Sequence, residues 1–310
     1  MKLAIYGQTY QQNTKDIIDR ILAVTQKHNA EVVFEANYHT LLFQNNVFEN
    51  EMATFSNHTQ LNVSFDFFIS IGGDGTMLRA ATFVKSKNIP IVGINAGRLG
   101  FLANVQQESI EKLLPFLFDG NYKLSQRTLL SLECYPDPCD IFDLNFALNE
   151  ITVSRKNTTS MITIETCLNG EYLTSFWADG LIISTPTGST GYNLSCGGPV
   201  ITPESKCLVI TPIAPHNLNV RPLVICDETE IKLKVSGREP QFLVSLDSGT
   251  KAIDNENEIH IKKAPFTINM VDFPEEGFLK TLRNKLLWEK TNAIRRINLP
   301  QAYYKAHKSR

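Results

Sequence analysis

The chain opens on an apolar run, Leu3-Ala4-Ile5-Tyr6, that stops at Gly7. Ile17, Ile18, Ile21 and Leu22 then recur at helical spacing behind Asn13 and Thr14, and Glu31-Val32-Val33-Phe34 forms a second short run. Short apolar runs bounded by turn residues predict buried strands, and repeats three and four residues apart predict amphipathic helices. The alternation continues. Asp66 to Ile71 is a strand ended by glycines, and Met77, Leu78, Ala80, Ala81 and Val84 share a helix face. Pro90 to Ile94 is a further strand, and Ser109 is placed to cap a helix running through Leu113 and Leu114. This βαβ order predicts an α/β domain with a mostly parallel sheet over residues 1–124.

Near Leu124 the pattern changes to short strands separated by turns. Met161 to Leu168 and Glu171 to Trp177 flank Asn169-Gly170, the preferred two-residue turn of a tight hairpin. Ile231-Lys232-Leu233-Lys234-Val235 alternates strictly, and Phe242 to Leu246 is another short run. An all-β, sandwich-like second domain is expected over residues 125–272. After Phe273-Pro274 the leucines at 279, 282, 286 and 287 predict a helical segment, residues 273–295, returning to pack on the first domain. The last 31 residues carry nine Lys or Arg and a single acid, Glu289, so residues 296–310 read as a solvated basic tail.

Composition narrows the setting. A formal charge of −2 argues against a nucleic-acid surface over the whole molecule. No stretch approaches the roughly 20 apolar residues of a membrane span, and the first residues lack a signal-peptide layout. A cytoplasmic protein is expected. None of the six cysteines forms a CxxC pair, so they read as reduced packing residues. The histidines show no metal-ligand spacing, and His216 reads as structural.

Three segments concentrate chemistry. Ile71-Gly72-Gly73-Asp74-Gly75-Thr76 sets one carboxylate in a glycine turn between a strand and a helix. Glycines allow close backbone approach and helix-start N–H groups attract anions, so the loop suits a phosphate. A carboxylate there repels phosphate; Asp74 either caps the helix or meets a metal ion or a hydroxyl that must lose a proton. Asn95-Ala96-Gly97-Arg98-Leu99-Gly100-Phe101 repeats the strand–glycine arrangement, and two such loops side by side could hold a polyphosphate. Asp179 to Pro199 runs from an apolar strand into hydroxyls and glycines, with Tyr192 offering a ring face. Upstream, Asn149-Glu150 is suited to a ribose diol or simply to solvent.

Together these segments resemble the NAD kinase family. The match covers GGDGT at 72–76, NxGxxGF at 95–101, Asn149-Glu150, DGLIISTPTGST-x-Y-x-x-S at 179–195, Gly197-Gly198-Pro199, and the block from Pro215-His216-Asn217-Leu218 to Ile225. The resemblance implies a Rossmann-like or phosphofructokinase-like first domain and transfer of the ATP γ-phosphoryl group to the 2′-hydroxyl of the adenosine ribose of NAD. It makes Asp74 catalytic and places Gly72, Gly73, Gly75, Asn95, Gly97 and Arg79 near the ligand phosphates. It assigns Asn149, Glu150, Trp177 and Asp179 to the ribose and nicotinamide side. It sets Thr190, Gly191, Tyr192, Asn193, Leu194 and Ser195 around an adenine and counts Thr187 among the ligand-binding residues. It implies a divalent cation, Mg²⁺, held mainly by substrate phosphates with no protein metal site, ATP or also polyphosphate as donor, and a homodimer or homotetramer. The chain departs from the family at Gly191, where Ala is frequent, at Trp177, where some relatives carry a basic residue, and at Asp247-Ser248-Gly249, which lacks a Gln. The GGDG loop alone also fits lipid and sugar kinases, and the same pocket fits a non-catalytic dinucleotide sensor.

Overall fold

The computed structural model describes residues 1–48, 51–97, 99–136, 145–157, 160–274 and 276–287. The expected basic tail lies outside them. The first sheet runs, in spatial order, β3 (Thr54–Phe55), β2 (Glu31–Glu35), β1 (Lys2–Gly7), β4 (Phe67–Gly72), β5 (Ile91–Asn95), β20 (Ile268–Asp272) and β7 (Lys123–Arg127), with β6 (Val105–Gln106) also on β5. All these pairings are parallel except β20 with β7. β4 is buried along its whole length, as a strand covered on both faces must be. On one face Leu3, Ile5, Val92 and Ile94 pack with Ile17, Ile18 and Ile21 of α1 (Thr14–Lys27). On the other, Ala4, Tyr6 and Phe68 pack with Met77, Ala80, Ala81 and Val84 of α3 (Asp74–Val84). α2 (Ala36–Gln44) follows β2, and α4 (Ile110–Leu113) and α5 (Pro115–Phe118) precede β7. Ser109 ends a 3-10 turn and makes no side-chain cap bond to α4, so its expected role is not the one it plays.

The second domain is two six-stranded antiparallel sheets. One runs β15 (Leu223–Cys226), β14 (Cys207–Ile213), β13 (Gly180–Ser184), β10 (Glu150–Arg155), β17 (Gln241–Leu246), β18 (Gly249–Asp254). The other runs β12 (Glu171–Ala178), β11 (Ile162–Leu168), β16 (Ile231–Ser236), β19 (Glu258–Lys263), β8 (Leu130–Tyr135), β9 (Phe146–Ala147). Their inner faces meet in one apolar core that includes Ile151, Val153, Leu181 and Ile183 from the first and Ile164, Leu233, Val235 and Ile259 from the second. In β16 Ile231, Leu233 and Val235 point inward while Lys232 and Lys234 are exposed, the alternation read from the sequence. Asn169 and Gly170 join β11 to β12 at φ +51° and +82°, the two positive values that a tight hairpin turn requires.

Two features depart from the expectations. The chain returns to the first sheet at Ile268, as a strand between β5 and β7, before α7 (Phe278–Leu286) begins. That helix buries Thr281 and Leu282 and leaves Leu279 and Leu287 exposed. Cys134 is disulfide-bonded, which corrects the all-reduced reading, while Cys167, Cys196, Cys207 and Cys226 are free. Among the described residues no helix is long and apolar enough to cross a membrane.

Candidate active site

β4 ends at Gly72, whose φ of +155° and contact with Thr76 admit no side chain: a Cβ there would come within 2.8 Å of Thr76 Cβ. Gly73 is the N-cap of α3, and nothing lies within 4 Å of a Cβ placed at Gly73 or Gly75, so the start of the helix is open to a ligand. Asp74, its first residue, does not cap it. Oδ2 accepts the Phe101 N–H at 2.9 Å, and Oδ1 accepts those of Leu102 and Ala103 at 2.9 and 3.2 Å. The acid thereby ties the loop after β4 to the loop after β5. A Cβ on the buried Gly100 would overlap the Asp74 carboxylate, so the clamp needs glycine there. Asn95, also buried, shapes the second loop: Oδ1 accepts the Gly97 N–H at 2.7 Å and Nδ2 donates to the Ala103 carbonyl at 3.4 Å. Arg79 sits one and a half turns along α3 and lines a separate cleft with Tyr6 and Glu35.

A second constellation lies in the β domain. Asp247, at φ +49° in the turn between β17 and β18, accepts the N–H groups of Leu148, Asn149 and Glu150 at 2.9, 2.8 and 3.2 Å. Burial raises its pKa, and these three bonds oppose the shift. The Asn149 carbonyl accepts the Thr185 N–H at 2.9 Å, and the Thr185 hydroxyl donates to Leu148 O at 2.6 Å. Glu150 therefore projects from a fixed backbone beside the turn at Gly188–Ser195. Burial, with the Asp247 charge nearby, pushes its carboxyl up to about 7, against a bond from the Tyr192 N–H. Its Oε2 and the Thr187 Oγ1 are buried without a hydrogen-bond partner, and such orphaned atoms mark where ligand polar groups belong. Gly191 faces this acid. A Cβ there would stand 3.1 Å from Glu150 Oε2, so alanine would need the carboxylate to give way slightly.

The remaining sequence-predicted residues divide. Asp179 pairs with Arg155 at 2.9 Å, both partly exposed. Trp177 is half exposed, its ring 4.3 Å from that of His216, and Tyr192 is exposed as well. Thr190 and Leu194 are half-buried and Ser195 is exposed. Asn193 is fully buried, Nδ2 donates to Ser189 O and Pro199 O at 2.9 and 3.0 Å, and Oδ1 accepts the Thr211 hydroxyl at 2.6 Å. Both of its donors and one of its two acceptor positions are spent inside the fold. Sequence reasoning missed Arg155, which carries no local signal, and it noted Asp247 only for the Gln its triplet lacks, although an Asp-Ser-Gly turn between two apolar runs was a clue to its anchoring role.

The ATP-NAD kinase N-terminal domain matches over residues 5–122 and the ATP-NAD kinase C-terminal domain over residues 148–273. The chain belongs to the NAD kinase family. It is 63% identical to the NAD kinase of Flavobacterium psychrophilum over 288 residues, 93% of this chain and 98% of that one. It is 42% identical to the NAD kinase of Bacteroides fragilis over 291 residues, with the same coverage of each. The crystal structure of yeast NADH kinase complexed with NADH shares its fold, at a TM-score of 0.83 and 20% identity, over 94% of this chain and 89% of that one. An NAD kinase from Archaeoglobus fulgidus in complex with ATP gives 0.71 and 28%, over 93% and 99%. The activity is that of the family, ATP-dependent phosphorylation of NAD. Among the described residues no three His, Cys, Asp or Glu side chains stand close enough to hold a metal ion, and both Asp74 oxygens are engaged by N–H groups.

Proposed function

We propose that Asp74 accepts the proton of the 2′-hydroxyl of the adenosine ribose of NAD as that oxygen bonds to the γ-phosphorus of ATP. The bond from phosphorus to the β–γ bridging oxygen breaks and ADP leaves. The supporting observation is the clamp. A carboxylate has about four acceptor positions; three are filled by loop amides, and the one left, on Oδ2, suits a single hydroxyl. Because the acid is held by the neighbouring loop, its orientation is set before substrate arrives, and positioned general bases contribute about 10²–10⁴-fold. The open amides at the start of α3 suit the transferring phosphate. In this reading Glu150 Oε2 and Thr187 Oγ1 take ribose hydroxyls of NAD, and Asn149, Asp179 and Tyr192 line the same pocket. A divalent cation enters with the ATP phosphates, which fits an ion that needs only one or two protein carboxylates. A cytoplasmic setting and a homodimer or homotetramer belong to the same reading; light scattering on the purified chain tests the latter.

Asp74→Asn tests the assignment. It keeps the shape, turns one acceptor into a donor and removes the base. Single-turnover NADP formation should fall 10²- to 10⁴-fold while calorimetry finds NAD affinity within a few-fold of the parent. Turnover close to the parent's would remove Asp74 from this role.

A further inference from the structure

One sheet of the second domain ends at an edge strand, β15, and the last paired position of that edge holds two thiols. Cys207 opens β14, Cys226 closes β15, and the two stand directly opposite each other. One position further out, the Asp227 N–H donates to the Lys206 carbonyl at 3.4 Å. Antiparallel partners alternate between hydrogen-bonded and non-hydrogen-bonded pairs. Cys207 and Cys226 therefore form a non-hydrogen-bonded pair, in which Cα atoms lie about 4.5 Å apart and side chains come closest. That spacing falls inside the range of about 4.4–6.8 Å that a disulfide spans.

Both side chains leave the sheet on the same side. Leu208 and Ile210 enter the apolar core between the two sheets and Ile225 packs against it, so their neighbours Cys207 and Cys226 face outward together. Both thiols are free, Cys226 exposed and Cys207 half-buried. Burial, and then the nearby Asp227 and Cys226, raise the pKa of the Cys207 thiol, which leaves Cys226 as the group that meets a reagent first. The Cys226 Sγ donates to Asp227 Oδ1 at 3.9 Å, so an acceptor stands beside its proton. Cys167, by contrast, has Tyr172 and Lys232 opposite it on its neighbouring strands.

We propose that Cys207 and Cys226 are a modification site that small disulfide oxidants of the glutathione type convert into a reversible cross-strand disulfide. The Cys226 thiolate attacks one sulfur of the oxidant. The oxidant's S–S bond breaks, and its other half leaves as a thiol carrying the proton that Cys226 released. The Cys207 sulfur then bonds to that of Cys226, the mixed S–S bond breaks, and the second half leaves with the proton from Cys207. Two electrons pass from the cysteines to the oxidant. The new bond closes residues 208–225 into a loop at its base. That segment carries Thr211, whose hydroxyl meets Asn193 at 2.6 Å, and His216, whose ring lies against that of Trp177. The paired strands already hold the two cysteines within bonding reach, so the bond restricts the unfolded chain more than it moves the folded one. It stabilises the β domain and leaves the site geometry as it is. Exposed bridges are the readily reduced ones, so the staple opens again when the oxidant is removed and a thiol is supplied.

The test uses the full chain with Cys207→Ser and Cys226→Ser beside the parent, each equilibrated with oxidised glutathione or with dithiothreitol. Peptide mapping of the oxidised parent should find Cys207 joined to Cys226 within one chain, and dithiothreitol should release both thiols. Oxidation should raise the melting temperature of the parent by about 5 °C or more beyond any rise in either variant. Parent and variants share the other cysteines, so a change at the Cys134 disulfide cancels in that comparison. NADP formation by the oxidised parent should match that of the oxidised variants within twofold. Glutathione left on Cys226 alone, a disulfide joining two chains, or two free thiols after equilibration would overturn the pairing. Equal melting shifts in parent and variants, or a loss of turnover beyond twofold on closing the bond, would overturn the staple.

Discussion

Glu150 is the side chain whose environment most limits its chemistry. Its carboxyl is pushed from 4.5 to about 7, chiefly by burial. The sign follows directly. Between about pH 4.5 and 7 the folded protein holds a proton that the unfolded chain has released, so stability falls as pH rises through that window and levels off above it. At about 1.4 kcal/mol per pKa unit the loss is about 3 kcal/mol. Glu150→Gln should therefore match the parent near pH 4.5 and exceed it by up to that amount at pH 8, measured by urea unfolding at both values. A parent as stable at pH 8 as at pH 5, with no gain from glutamine, would contradict the burial argument. The residue scale also separates what sequence could and could not show. Asp74 stood out because an acid between glycines is unusual, but its bonds to the amides of 101–103 were not readable from the sequence. Nor were the Asp247 bonds, because they join residues 97 to 99 positions apart. The bonds of Asn193 to Pro199 and Thr211 were hidden in the same way, since nothing in a polar segment says which amide is held by the fold.

Among the elements, α7 has a reach that its short length hides. The Phe278 ring lies 6.4 Å from that of Phe101, and Lys285 Nζ sits 4.9 Å from the Phe101 centroid. Phe101 is the residue whose N–H meets Asp74 Oδ2. The terminal helix thus braces the loop that orients the acid without touching the acid itself. Aromatic pairs are worth about 0.5–1.5 kcal/mol and surface cation–π contacts about 0.5–1 kcal/mol. Phe278→Ala should lower kcat roughly three- to tenfold with KM for NAD nearly unchanged, and Lys285→Met should give a smaller loss of the same kind. Equal losses in kcat and NAD affinity would mean that the helix supports the pocket generally. The helix itself was legible from its leucines, but its buried face was not. Leu282 goes in while Leu279 stays exposed, and the ring that Phe278 and Lys285 meet, Phe101, lies far earlier in the chain, where the leucine pattern gives no hint of it.

For the molecule as a whole, the change of pattern near Leu124 marked two architectures, and the mostly parallel and antiparallel sheets were both expected. The return strand was not, since five residues between β-rich neighbours give no sign of which sheet they join. β20 sits between β5 and β7 and completes the first sheet. A chain ended at Pro274 keeps that strand and loses α7; one ended at Lys263 loses both. The first should fold cooperatively with reduced turnover, and the second should lose the α/β domain, seen as missing helical circular dichroism or insolubility. Normal helical content in the shorter chain would show that β20 is dispensable. Each domain also contains the same knot, one aspartate gathering three successive backbone N–H groups. Main-chain donors are common to every residue but proline, so each clamp depends on the path of the backbone at 101–103 and 148–150 rather than on the side chains there. Any substitution at those positions that leaves the backbone in place leaves the aspartate anchored.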